Sequence, residues 1–124
     1  MTAVTANEVA VIYCGGGNPE LARIAVAAGM RYGARLPDTV YPDEAGAPLY
    51  FADQNFKQVN RRIYMEYLAR HRPAVATVID WSWSIPYREV LSWAEEAAHY
   101  CQTLILIPKI PGTVHRIPEE IGGR

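Results

Sequence analysis

The 124 residues are 50% hydrophobic and 20% charged, the composition of a single globular domain over 1–124 with a real core, which excludes a disordered chain. Twelve Lys+Arg against thirteen Asp+Glu leave a formal charge of -1, which removes any global electrostatic case for a nucleic-acid or acidic-membrane partner. No apolar run approaches the ~20 residues that cross a bilayer, and Met1-Thr2-Ala3-Val4 lacks the basic flank and apolar stretch of a secretory signal, so the expected location is the cytoplasm.

Residues 1–7 read as a flexible N-terminus. Glu8 to Tyr13 is then a short apolar run that stops at Cys14-Gly15-Gly16-Gly17, as a buried strand feeding a glycine turn would. Asn18-Pro19-Glu20 supplies a cap, a first-turn proline and an early carboxylate, and Leu21, Ile24, Ala25 and Ala28 follow at helical spacing up to Gly29. Tyr32 to Leu36 predicts a second strand, and Pro37 to Pro48, rich in proline and acids, a surface loop. Leu49 to Ala52 predicts a third strand ending at Asp53. Asn60 to Arg72 carries Ile63, Tyr64, Tyr67 and Leu68 on one helical face until Pro73 stops it. Ala74 to Ile79 is continuously apolar, the pattern of a strand covered on both faces, and ends at Asp80. Ser84 and Pro86 open a helix with Tyr87, Val90, Leu91, Ala94 and Ala98 inward, and Thr103 to Ile107 predicts a last strand closed by Pro108-Lys109. Residues 110–124 read as an irregular C-terminal segment with a helical turn at Pro118-Glu119-Glu120.

Alternating strands and helices at these spacings call for right-handed βαβ units: an α/β domain with a mainly parallel sheet of four or five strands and three or four helices. Two arrangements satisfy this. One is an open three-layer sheet; the other resembles half of a (β/α)8 barrel, which is complete at ~250 residues. A half-barrel has bare sheet edges, so a homodimer or higher oligomer is expected.

In either arrangement a ligand lies outside the carboxyl ends of the parallel strands. Those ends carry Cys14 with Gly15 to Gly17, Arg35 with Asp38, Asp53, Asp80 with Trp81, and Lys109. Gly15, Gly16, Gly17 and Asn18 can present backbone N–H groups to an anion, or simply make a tight strand-to-helix turn. They lack both the third glycine of a dinucleotide fingerprint and the Gly-Lys-Ser/Thr of a phosphate loop. A carboxylate that closes an apolar strand must be hydrated or paired, so Asp53 and Asp80 are the candidate catalytic residues, with one acting as acid while the other accepts. The blander alternatives are a cap or Asx turn for Asp53 and a salt bridge to Arg88 or Arg35 for Asp80. Trp81-Ser82-Trp83, with Phe51 and Phe56, can stack a nucleobase or fill a core gap or subunit contact, and Lys109 can meet a phosphate or be a solvated terminus.

Between Lys57 and Arg72 five Lys+Arg stand against Glu66 alone, a local balance of +4. Nucleic acid can be met there, but the stretch lies on an outer helix whose simpler reading is a solvated face. His71 and His99 fall at helix ends on the other edge, where a cation complements the helix dipole. In a parallel sheet Cys14 and Cys101 sit a strand length apart, ~17–20 Å, too far for a bridge, so free thiols are expected with Cys14 facing the site. No histidine or cysteine pair has metal-ligand spacing, so neither metal nor cofactor is expected.

Cys14-Gly15 with Gly17-Asn18-Pro19, Tyr32-Gly33-Ala34, Leu36-Pro37-Asp38-Thr39-Val40-Tyr41, Phe51-Ala52-Asp53-Gln54, His71-Arg72-Pro73, Val90 to Ala97 and Ile107-Pro108-Lys109 together resemble an uncharacterised family of bacterial and phage proteins. Proteins of that kind continue beyond Ile121-Gly122-Gly123, and the resemblance implies no activity. More loosely, the order of strand-end acids resembles the first half of the tRNA-guanine transglycosylase barrel. That likeness implies an acid-base role for Asp53 and a base-reading role for Asp80. Here Asp53 is followed by Gln54-Asn55 instead of Ser-Gly, and that family's zinc ligands are absent.

The expectation is therefore a site for a nucleobase- or nucleotide-like small molecule at the carboxyl edge of the sheet, with or without glycosyl transfer or hydrolysis. The competing expectation is a non-catalytic, ligand-sequestering or structural subunit that dimerises.

Overall fold

The computed structural model describes residues 9–15, 17–119 and 121–124. Five strands, β1 (Ile12–Cys14), β2 (Arg31–Leu36), β3 (Leu49–Gln54), β4 (Val75–Thr77) and β5 (Thr103–Ile105), form one sheet in sequential order, each neighbouring pair parallel. Four helices join them: α1 (Pro19–Ala27), α2 (Pro42–Ala45), α3 (Arg61–His71) and α4 (Tyr87–Ala97). This is the expected α/β class.

A parallel order that never reverses, wound with right-handed crossovers, sends every crossover helix to the same face. Burial follows that rule. Tyr32, Ala34, Leu36, Ala52 and Ala76 enter one core with Ala22 of α1, Tyr64 and Leu68 of α3, and Val90 and Trp93 of α4. The alternate strand residues, among them Cys14, Arg35, Phe51, Asp53 and Val75, face away from that core. The three-layer alternative is corrected by this topology, because helices on both faces require a strand order that reverses.

Local chemistry explains where the helices start and stop. Asn18 Oδ1 accepts from the N–H groups of Glu20 at 3.0 Å and Leu21 at 3.2 Å, with Pro19 in the first turn of α1. Asn60 Oδ1 accepts from the Ile63 N–H at 3.1 Å to open α3. Arg72 closes α3 in a left-handed conformation, φ 44°, and Pro73 prevents continuation.

Several elements differ from expectation. Of the first strand only Ile12–Cys14 pairs, and Glu8 lies outside the described residues. β3 runs on through Asp53 to Gln54, because Asp53 finds a hydrogen-bond partner on β4 and need not turn out to water. β4 and β5 keep only three residues each, yet their neighbours stay aligned: the Trp81 N–H donates to the Ile107 carbonyl at 3.0 Å and the Lys109 N–H to the Trp81 carbonyl at 2.7 Å. The Pro37–Pro48 loop contains α2, closed by Gly46 at φ 78°. In the C-terminal segment a 3-10 turn forms at Val114–Arg116; the helical turn expected at Pro118-Glu119-Glu120 falls in part on Glu120, outside the described residues. In α1 the buried residues are Ala22 and Ala25, while Leu21 and Ile24 are 51% and 54% exposed; small side chains let this helix lie close on the sheet. In α4 Trp93 joins the inward face, its ring 6.1 Å from that of Tyr64.

Candidate functional site

The parallel register lays the outward residues in rows. Cys14 pairs with Gly33, Gly33 with Phe51, and Phe51 with Val75. One pleat nearer the carboxyl ends, Arg35 pairs with Asp53, and Asp53 meets Thr77 on β4. Gly33 has no side chain, and its neighbours close over it: a Cβ built there would stand 2.8 Å from Ile12 Cγ2 and 3.2 Å from Phe51 Cδ1. Phe51 therefore packs over Gly33 on this face, with Cys14 on one side and the Arg35–Asp53 row beyond it.

Asp53 is held from beneath. The Thr77 hydroxyl donates to Asp53 Oδ1 at 3.0 Å and accepts from the Gln54 N–H at 2.8 Å. The Tyr64 hydroxyl, buried in the core, donates to the Thr77 carbonyl at 2.6 Å, and burial pushes its own pKa well above the ordinary tyrosine value. A chain of bonds thus runs from the core through Thr77 to one carboxylate oxygen and fixes the side chain's orientation. Asp53 forms no Asx turn; that role falls to Asn55, whose Oδ1 accepts from the Lys57 N–H at 3.0 Å.

Arg35 Nη2 stands 3.8 Å from Asp38 Oδ2, both partly exposed, a long ion pair that leaves the guanidinium available. The Cys14 thiol, open to solvent at the edge of the face but flanked by protein, is held above its ordinary pKa. Desolvation is the first cause and the negative Asp53 the second, with Arg35 pulling the other way. At neutral pH it is a protonated thiol, a weak donor and not a thiolate nucleophile. Cys101 is buried, with its thiol pushed up to about 11 by burial. Both thiols are free, as the parallel strand directions require.

The other predicted residues are placed differently. Trp81 is 5% exposed, its ring stacked on Tyr87 at 4.2 Å, and the Arg116 guanidinium sits against both rings, 5.2 Å from Trp81 and 5.7 Å from Tyr87, so the indole is taken up in packing with the chain itself. Trp83 is 83% exposed. Asp80 is partly buried beside Trp81, and among the described residues neither Arg88 nor Arg35 forms an ion pair with it. Lys109 is exposed on the neighbouring segment. Gly15 packs against the Tyr13 ring, where a Cβ would collide with the phenol. Gly17 faces open space, and Gly16 lies outside the described residues. Asn18 is spent on capping α1 and takes the first-turn N–H groups that an anion would need.

Along the basic stretch, Arg61 is taken by Glu96 at 2.8 Å and by Ser92, Arg62 by Glu66 at 3.0 Å, and Arg72 by the His99 carbonyl at 3.0 Å. The Arg61 and Arg72 contacts tie α3 to α4 and the turn after it, while Arg62 pairs within α3 on its solvated face. His71 stacks on Tyr67 with ring centroids 6.2 Å apart. Among the described residues no three His, Cys, Asp or Glu side chains are grouped to hold a metal, and no described helix is long and apolar enough to cross a membrane. A hollow of about 550 Å³ lies at the amino ends of β2 and β3, on the rim opposite the predicted edge.

Sequence reasoning placed Asp53 and Arg35 on this edge but missed Thr77 and Tyr64. The threonine sat inside an apolar, β-branched run and read as a strand former; the tyrosine read as core. The signal available was the period-2 alternation, which puts Thr77 on the face of Asp53 and away from Ala76.

The chain belongs to a family of unknown function, DUF6610, whose pattern matches residues 22–122. No curated protein and no solved structure matches it.

Proposed function

We propose that this DUF6610 chain holds a nucleobase- or nucleotide-like small molecule on the outward face of its sheet, at the carboxyl ends of β1 to β4. The observation that supports this most is the Arg35–Asp53–Thr77 row beside Phe51, a carboxylate fixed by a buried hydrogen-bond chain next to an available guanidinium and a flat aromatic ring. An oriented carboxylate accepts from the N–H donors of a base edge, and Arg35 meets a carbonyl or phosphate oxygen. Phe51 takes the stacking role expected of Trp81. Asp80 and Lys109, on the adjoining segments, extend the same edge. If chemistry takes place, Asp53 is the acid or base for transfer or hydrolysis at a glycosidic carbon, the role implied by the transglycosylase likeness.

Titration calorimetry with guanine, adenine, cytosine and the corresponding nucleoside monophosphates tests the reading. It expects at least one to bind and Asp53→Asn to weaken that binding by about tenfold or more. No binding by any of them, or an unchanged affinity in Asp53→Asn, contradicts it.

A second reading, a homodimeric interaction subunit, is favoured by the sheet's two edge strands, β1 and β5, which are unpaired on their outer sides among the described residues, and by an outward face that none of the four described helices covers. Light scattering after size exclusion tests this reading: it expects twice the mass of one 13.8 kDa chain, and a monomer at all concentrations ends it.

A further inference from the structure

We propose a second binding site, at the amino rim of the sheet, for a small organic anion with an apolar body: a medium-chain carboxylate whose head is taken by Arg31 and Tyr50. The hollow of about 550 Å³ on this rim is lined by Val11, Val26, Met30 and Pro48 beside those two residues. Its size lies in the ~300–1,000 Å³ range of small-molecule sites. Among the described residues Arg31 is the only charged one in that lining, so the site favours a negative head. Its guanidinium sits 5.2 Å from the centre of the Tyr50 ring and forms no ion pair among the described residues.

Tyr50 supplies the independent sign of a ligand. It is 3% exposed, and its hydroxyl is a buried polar atom with no hydrogen-bond partner among the described residues. Folded proteins satisfy nearly all such groups, because an unmade bond in a dry place is costly. An acceptor brought by a ligand, next to a cation without a counter-charge among the described residues, satisfies both groups at once. The carboxylate accepts from the Arg31 N–H groups, and from the Tyr50 O–H once the side chains that cover this buried hydroxyl part. An apolar space adjoins the hollow. A second hollow of about 310 Å³ shares Ala10 and Tyr50 with the first and is lined by Ile12, Val75 and Ile105 on the outward face of the sheet.

Titration calorimetry with sodium octanoate, and with 1-octanol as the neutral match of equal length, tests this site. Octanoate is expected to bind at a single site and 1-octanol about tenfold or more weaker; Arg31→Met is expected to weaken octanoate by a similar factor. Tyr50→Phe is expected to weaken octanoate while leaving the Tm of the free protein unchanged or higher, since a hydroxyl without a partner is removed. The proposal is overturned by the absence of saturable octanoate binding, by equal affinity for 1-octanol, by an unchanged affinity in Arg31→Met, or by a lower Tm in unliganded Tyr50→Phe.

Discussion

On the helix side of the sheet β2 contributes Tyr32, Ala34 and Leu36, all buried in the core shared with the helices; on the other side the same strand contributes Gly33 and Arg35, which none of the four described helices covers. The same division runs through β3, where Ala52 is in the core and Asp53 is not. One face is closed by small residues and aromatic packing. The other keeps a carboxylate, a guanidinium and a thiol within electrostatic reach of one another. A sheet wound in one direction separates stability from chemistry in this way, because alternate residues of every strand answer to different neighbours.

Substitutions on the two faces should therefore differ in kind. Leu68→Ala, fully buried beneath the sheet, should cost about 2–5 kcal/mol in chemical denaturation. Ile105→Ala, on the outward face of β5 and 40% exposed, should cost less than about 1 kcal/mol. A larger loss at Ile105 that grows with protein concentration would mean that another copy covers this face. Tyr64→Phe tests the link between the faces. Removing the hydroxyl that donates to the Thr77 carbonyl at 2.6 Å should cost about 1–2 kcal/mol and loosen the hold on Asp53, with weaker binding of whichever nucleotide the wild type takes. If stability falls without any change in that binding, the hydrogen-bond chain does not serve the site.

How much of this could be read from the sequence depended on the kind of signal. The strands and their shared direction were legible because apolar runs, prolines and Asn caps such as Asn18 and Asn60 act locally. The burial of α1 was not: Leu21 and Ile24 satisfy helical spacing better than Ala22, but close packing on the sheet favoured the small face. Nor was the fate of Trp81, since its partners Tyr87 and Arg116 come from α4 and the 3-10 turn near the C-terminus, and no spacing rule connects them. Asp53 was legible as a strand-end acid, whereas the bond that orients it depends on the register between β3 and β4, which only the folded sheet defines.

The most direct test of the site's geometry is the pH dependence of Cys14 alkylation by iodoacetamide, with buried Cys101 held back by a thiol pKa of about 11. The thiolate is the reactive form, so the rate at a given pH follows the Cys14 pKa. Asp53 raises that pKa and Arg35 lowers it. Asp53→Asn should therefore shift the alkylation profile to lower pH, and Arg35→Gln should shift it to higher pH, with the fold retained in both. Identical profiles for the wild type and both variants, or shifts of the same sign, would contradict the placement of these three side chains together on the outward face.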